Sequence, residues 1–138
     1  MIEIFIDTDV LIDLLAERTP YYNDAAIIFS LADNGLIKIY ISSLCFSNIH
    51  YIISKLKSKN ESIKALRKLR ILVNVLNVNA NTIDSALNSD FKDFEDAIQY
   101  FTPLQNQVSM IITRNTKDYN VSQLPVKTPA EFIKFLKA

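Results

Sequence analysis

The sequence predicts an α/β fold built on a mostly parallel sheet. Short runs rich in isoleucine and valine alternate along the chain with longer stretches whose apolar residues recur every three or four positions. That alternation is the pattern of a parallel sheet with helical crossovers. Two sharp helix boundaries support it: a lone Gly35 after one periodic stretch, and the segment Thr128-Pro129-Ala130-Glu131 before the last. No internal repeat, low-complexity stretch or linker interrupts the chain, so residues 1–138 are expected to form one domain.

The elements follow in order. Residues 2–6 read as a buried strand that stops at Asp7, with Asp9 two positions on. Helical patterns cover 9–17 and 23–34, the second stopped by Gly35 as a C′ residue. A strand over 37–41 precedes a helix over 43–56, whose stripe is Leu44, Cys45, Ile49, Ile52, Ile53 and Leu56. A helix over 61–72 places Ile63, Leu66, Leu69 and Val73 on one face. A strand at 73–78, helices at 79–88 and 93–105, and a strand at 109–113 come next. Residues 125–127 read as a last edge strand. Thr128 then opens the final helix as N-cap, with Pro129 at N1 and Glu131 at N3, a capping box.

Composition removes many chemistries. The chain has 138 residues, 49% of them hydrophobic, enough for one disulfide-free core. No apolar run reaches the roughly 20 residues of a membrane span, and the start lacks the pattern of a signal peptide. The expected location is cytoplasmic. A single glycine excludes the glycine-rich phosphate loops, and one cysteine with one histidine excludes the usual Cys/His zinc sites. His50, in the apolar segment IHYII, is expected to pack structurally. Chemistry is left to carboxylates, amides, hydroxyls and amines, and carboxylates suit Mg²⁺ or Mn²⁺.

In an open parallel sheet, sites form beyond the carboxyl ends of the strands. Asp7 follows the first strand, and Asn115 and Asp118 follow the fourth, in IITRNTKDY. Asp93 and Asp96 stand three apart in DFKDFEDAIQY, and Asn48 lies on the second turn of the helix after the second strand. Topology alone gathers Asp7, Asp96 and Asp118 at one sheet edge, with Asn48 and Asn115 nearby. Clustered carboxylates raise one another's pKa unless a cation neutralises them. A divalent metal does so, and also makes a nucleophile of water. Each acid has a structural reading too: Asp93 an N-cap, Glu95 a first-turn acid, Asp118 a turn residue.

Net charge is zero, with 15 basic and 15 acidic residues, but residues 55–70 concentrate Lys55, Lys57, Lys59, Lys64, Arg67, Lys68 and Arg70 against Glu61 alone. The stretch is either a solvated helix face or a phosphate-neutralising one. The lysines, Arg67, Lys68 and, separately, Arg114 are the RNA-contact candidates.

The segments FIDTDVLIDLL, ISSLCFSNIHYII, DFEDAIQY, IITRNTKDY and VKTPAEFIKFL, in that order, resemble the PIN-domain family, in particular its small prokaryotic VapC-like toxins. The resemblance implies a three-layer α/β/α fold around five parallel strands. It also implies an endoribonuclease in which carboxylate-held Mg²⁺ or Mn²⁺ activates water, leaving a 5′-phosphate and a 3′-hydroxyl. Asp7, Asp96 and Asp118 would be the catalytic metal ligands and Asn115 a polar ligand or water holder. Thr113 and Ser42 fall where the family often has hydroxyls near the site. An antitoxin partner and a homodimer are further implications. Asn48 departs from the pattern, since many such nucleases carry glutamate there. Asparagine keeps a carbonyl but loses the charge and the capacity to act as a base, and Asp93, one turn from Asp96, is the expected compensation.

Two other readings stand beside this one. A PIN fold weakened by Asn48 could serve as an RNA- or protein-binding module. FIDTDVL also resembles the first motif of haloacid-dehalogenase-like phosphatases, with Asp7 as nucleophile and Asp9 as acid/base. That family's later acidic motif usually contains glycine, and none occurs here beyond Gly35. In the PIN reading Asp9 caps the following helix or sits at the site's rim.

Overall fold

A computed structural model describes residues 1–138. It contains β1 (Ile2–Ile6), α1 (Thr8–Leu15), α2 (Tyr22–Asp33), β2 (Ile37–Ser42), α3 (Ser43–Leu56), α4 (Lys59–Leu72), β3 (Asn74–Leu76), α5 (Ala80–Leu87), α6 (Phe94–Gln105), β4 (Ile111–Ile112), a 3₁₀ turn (Thr116–Tyr119), β5 (Val126–Lys127) and α7 (Pro129–Lys137). All strand pairs are parallel, in the order β3-β2-β1-β4-β5. The expected edge position of 125–127 is the observed one.

Period-two alternation sorts the strand side chains onto two faces. Ile4, Ile6, Ile37, Ile39, Ile41 and Ile112 face a core shared with Val10, Leu11, Ile28, Ile49, Ile53, Leu69 and Phe132, from α1, α2, α3, α4 and α7. Phe5 and Ile111 point to the other face, where they meet Tyr100 and Tyr119. Ala97 and Ile98 of α6 pack there with Ala86 of α5. Helices on both faces make three layers. Within α2, Ile28 and Phe29 are buried in the core, Leu31 and Ala32 pack against it and Ile27 is turned outward. No helix is long and apolar enough to cross a membrane.

Two strands are shorter than their apolar runs suggest. The run 73–78 yields only Asn74–Leu76, because β2 gives way to α3 after Ser42 and no neighbour remains for the last residues. The run 109–113 yields Ile111–Ile112, matched to the two residues of β5.

The helix ends obey local chemistry. Thr128 and Glu131 exchange side-chain and backbone hydrogen bonds at 3.1 and 2.8 Å, and those bonds hold the Glu131 carboxyl below its usual range. Asn79 and Thr82 make an equivalent box at α5. At the end of α2, Gly35 N–H bonds Ala32 O and Leu36 N–H bonds Leu31 O, at 3.0 and 2.9 Å, a Schellman closure. Gly35 has φ +74°, and a Cβ there would meet nothing within 4 Å. Gly35→Ala therefore carries only backbone strain and should cost about 1 kcal/mol in urea unfolding, with an unchanged m-value.

Candidate active site

From β1 the chain moves outward to β2 and β3, then returns to place β4 on the other side of β1. The carboxyl ends of β1 and β4 thus flank the switch point where such sheets open a crevice. Asp7 leaves β1 there and Thr113 leaves β4.

Asp7 is 9% exposed and both its oxygens are engaged. Oδ1 accepts from the Thr8 amide at 2.8 Å and from Gln99 Nε2 at 3.1 Å. Oδ2 accepts from Tyr119 Oη at 2.9 Å and Thr113 Oγ1 at 3.0 Å. These contacts fix the orientation of the carboxylate. Burial, with Asp7 beside it, raises the Tyr119 pKa strongly, so the phenol is a permanent donor. Behind Gln99, Ser42 Oγ donates to its Oε1 at 2.6 Å, which fixes which end of the amide faces Asp7. Ser42 is thus one hydrogen bond removed from the carboxylates. Cys45 Sγ lies 3.2 Å from Thr8 Oγ1 and 3.4 Å from Gln99 Nε2, and burial pushes its thiol pKa up.

Asp7, not Asp9, is the N-cap of α1. Asp9 Oδ2 instead accepts from the Arg114 amide at 3.1 Å and Asn115 Nδ2 at 3.3 Å and shares the Thr113 hydroxyl with Asp7 at 3.2 Å, tying the start of α1 to the segment after β4. Asp9 Oδ1 is buried with no partner at all. Burial, then the Asp7 carboxylate, raise the Asp9 pKa to about 6.

Asp96 stands in the first turn of α6, its amide capped by Asp93 Oδ1 at 3.0 Å. Partial burial comes first, then the carboxylates of Asp7, Asp93, Asp118 and Glu95, and together they push its pKa up to about 7. Asp118 lies exposed in the 3₁₀ turn. Asp96 therefore lies within electrostatic reach of Asp7, Asp93, Asp118 and Glu95, while Thr113 and Asn115 bond to Asp7 and Asp9.

Asp93 caps α6 through Oδ1, and Asn48 Nδ2 donates to Glu95 Oε1 at 2.6 Å. The carboxylate beside Asn48 is that of Glu95, because residue 95 faces α3 across the start of α6. Sequence reading also missed Gln99 and Tyr119. Gln99 carried a signal, standing three residues beyond Asp96 on the same helix face.

The basic candidates stand apart. Lys55 is roughly 10 Å along α3 from Asn48 at 1.5 Å per residue, and it lies against Tyr51. Lys57, Lys64 and Lys68 line a recess with Leu14, Leu15 and Ile53. Arg114 is not free for RNA phosphate: its Nε and Nη2 bond Asp13 Oδ2 and Oδ1 at 2.6 and 3.2 Å. Burial works against that cation, but Asp13 outweighs it and the Arg114 pKa rises. His50 is structural, as expected, through Ser62 of α4 at 2.8 Å.

Whether a divalent cation suits these residues turns on charge, donor type and spacing. The donors are all oxygens, hard ligands suited to Mg²⁺ or Mn²⁺. The only ion pair in the molecule is Arg114–Asp13, so no lysine or arginine neutralises Asp7, Asp96 or Asp118. Asp9 leaves a buried oxygen unsatisfied. No three acidic, histidine or cysteine side chains close on a common point. That spacing suits a cation which keeps several waters and takes only one or two carboxylates directly, the habit of Mg²⁺.

Comparison with known proteins places this geometry. Ribonuclease VapC1 of Aquifex aeolicus (strain VF5) is 27% identical over 140 residues, covering 94% of this chain and 92% of the relative. A toxin–antitoxin complex from Klebsiella pneumoniae contains a chain of TM-score 0.66 and 25% identity, covering 91% of this chain and 96% of that one. VapBC2 from Rickettsia felis, bound to a promoter DNA fragment, aligns with TM-score 0.69 at 17% identity over 92% of this chain and 98% of that one, a likeness of fold. The PIN domain family model matches residues 3–117, most of the sequence, and the chain belongs to the PIN-domain family.

Proposed function

We propose that this chain is a divalent-metal-dependent endoribonuclease, folded as a single domain, and the toxin of a toxin–antitoxin pair. The observation that carries the reading is the crowding of Asp96 by Asp7, Asp93, Asp118 and Glu95 at the switch point, with no cationic side chain paired to Asp7, Asp96 or Asp118. Similarity to a ribonuclease and to a chain of a toxin–antitoxin complex supports the substrate class and the partner. Membership of the family sets the phosphatase reading aside.

Asp7, Asp96 and Asp118 are the proposed metal-site acids, one or two of them binding the ion directly and the rest through its waters, with the unpartnered oxygen of Asp9 beside them. Bound Mg²⁺ or Mn²⁺ supplies neutralisation of the carboxylates, an activated water and stabilisation of charge on the phosphate. The chain's part is positioning. Gln99, Thr113 and Tyr119 hold the Asp7 carboxylate in one orientation, and Asn48 holds Glu95 at the rim. Glu95 thus returns to this side of the site the charge that Asn48 lacks.

The test is incubation of a mixed structured and single-stranded RNA pool with Mg²⁺, Mn²⁺ or EDTA, wild type beside Asp7→Asn. Cleavage that needs metal, leaves 5′-phosphates and disappears in the variant is expected. Products ending in 2′,3′-cyclic phosphates would count against the reading. RNA binding that survives Asp7→Asn, with no cleavage in any metal, would favour the binding module that Asn48 motivates.

A further inference from the structure

Between the start of α2 and the start of α7 lies a recess of about 400 Å³ that the carboxylate site does not use. This is within the usual range for small-molecule sites. Pro20, Tyr21 and Pro129 give it apolar walls, and Asp24, Arg114 and Asn115 give it polar ones. It adjoins Asp9, because Asn115 Nδ2 and the Arg114 amide both donate to Asp9 Oδ2.

The polar groups discriminate among ligands. The Arg114 guanidinium lies 4.1 Å over the Tyr21 ring, a stack of the kind that receives unpaired bases. Its charge is balanced by Asp13, while Asp24, in the first turn of α2, has no ion-pair partner. The recess thus carries a surplus carboxylate, which disfavours phosphate and favours a ligand edge made of N–H donors. Among the four RNA bases only guanine offers two adjacent donors, N1–H and N2–H, to both oxygens of a carboxylate. Adenine and cytosine place a ring-nitrogen acceptor beside their amino group, and uracil flanks N3–H with two carbonyls. Guanine O6 would in turn accept from Arg114 Nη1, which makes no hydrogen bond within the protein, or from Asn115.

We propose that this recess receives an unpaired guanine adjacent to the bond cut, and that Asp24 reads its Watson–Crick edge. The proposal rests on the ribonuclease reading. It is tested first without metal, by following the amide NMR signals of Tyr21, Asp24, Asn115 and Ala130 during titration with the four nucleoside 5′-monophosphates in EDTA. Guanosine monophosphate should bind most tightly, and Asp24→Asn should remove at least about tenfold of that preference. Tyr21→Ala should weaken all four nucleotides without changing their order. In the second arm, with Mg²⁺, kcat/KM on oligonucleotides with one guanine should fall at least about tenfold in Asp24→Asn and stay level on guanine-free ones.

Equal binding of the four nucleotides, shifts confined to other residues, or a guanine preference that survives Asp24→Asn would overturn the proposal. A wild type that binds guanosine monophosphate here but cuts no RNA supports the base site and overturns the ribonuclease reading alone. A wild type that cuts RNA without base preference overturns this proposal alone.

Discussion

Asp96→Asn is expected to raise the Tm of the metal-free protein at pH 8 by a few degrees, while lowering metal-dependent RNA cleavage by about 10³-fold. The two effects have one cause. Burial and the carboxylates of Asp7, Asp93, Asp118 and Glu95 push the Asp96 pKa from 3.8 in the unfolded chain to about 7. Between those values the folded protein binds more protons than the unfolded chain, so stability falls as pH rises through the window. The penalty is absent below about pH 4 and complete above about pH 7, by the same linkage. Asp9, raised to about 6, adds to the lower part of the fall. An amide at 96 removes the repulsion, and the half-exposed position of Asp96 keeps the gain small. The same amide removes a carboxylate from the proposed metal site, and a few kcal/mol of lost charge stabilisation is worth about 10³ in rate. Melting in EDTA from pH 4.5 to 8, wild type against variant, reads the first effect and RNA cleavage the second. A variant that melts lower than wild type at pH 8 would mean that Asp96 is structurally supported rather than crowded.

Arg114→Met should destabilise the protein by about 3 kcal/mol, lowering Tm by roughly 10 °C. Asp13 is 1% exposed and its only ion-pair partner is the Arg114 guanidinium, bound through two nitrogens. Losing the arginine leaves a buried carboxylate uncompensated, which is far costlier than losing the pair as a whole. The double variant Asp13→Leu with Arg114→Met should therefore recover most of the loss, a coupling that a double-mutant cycle measures. A melting point within 2 °C of wild type would show that Asp13 finds water or another donor instead.

What the sequence made legible was whatever depends on neighbours along the chain. The strand ending on Asp7, the capping box at Thr128 and the left-handed turn at Gly35 are local, and each stands where its residues placed it. The placing of Asp7 and the segment after β4 at one end of the sheet followed from strand order alone. The division between Asp7 and Asp9 was not legible, because it is decided by donors far away in sequence. Gln99, Thr113 and Tyr119 reach back to Asp7 across 92, 106 and 112 residues, and Arg114 to Asp9 across 105. Nor could spacing choose between Asp93 and Glu95 as the acid beside Asn48. Both precede Asp96 closely, and only the packing of α6 against α3 shows that residue 95 faces across.

The shell around Asp7 has a consequence for the order of folding. Three of the four groups that orient Asp7 come from residues 99, 113 and 119, so the carboxylate at the end of β1 gains its donors only when α6, β4 and the 3₁₀ turn have docked. A buried carboxylate without donors opposes folding, so the ordering of Asp7 and the docking of these distant elements form one cooperative step.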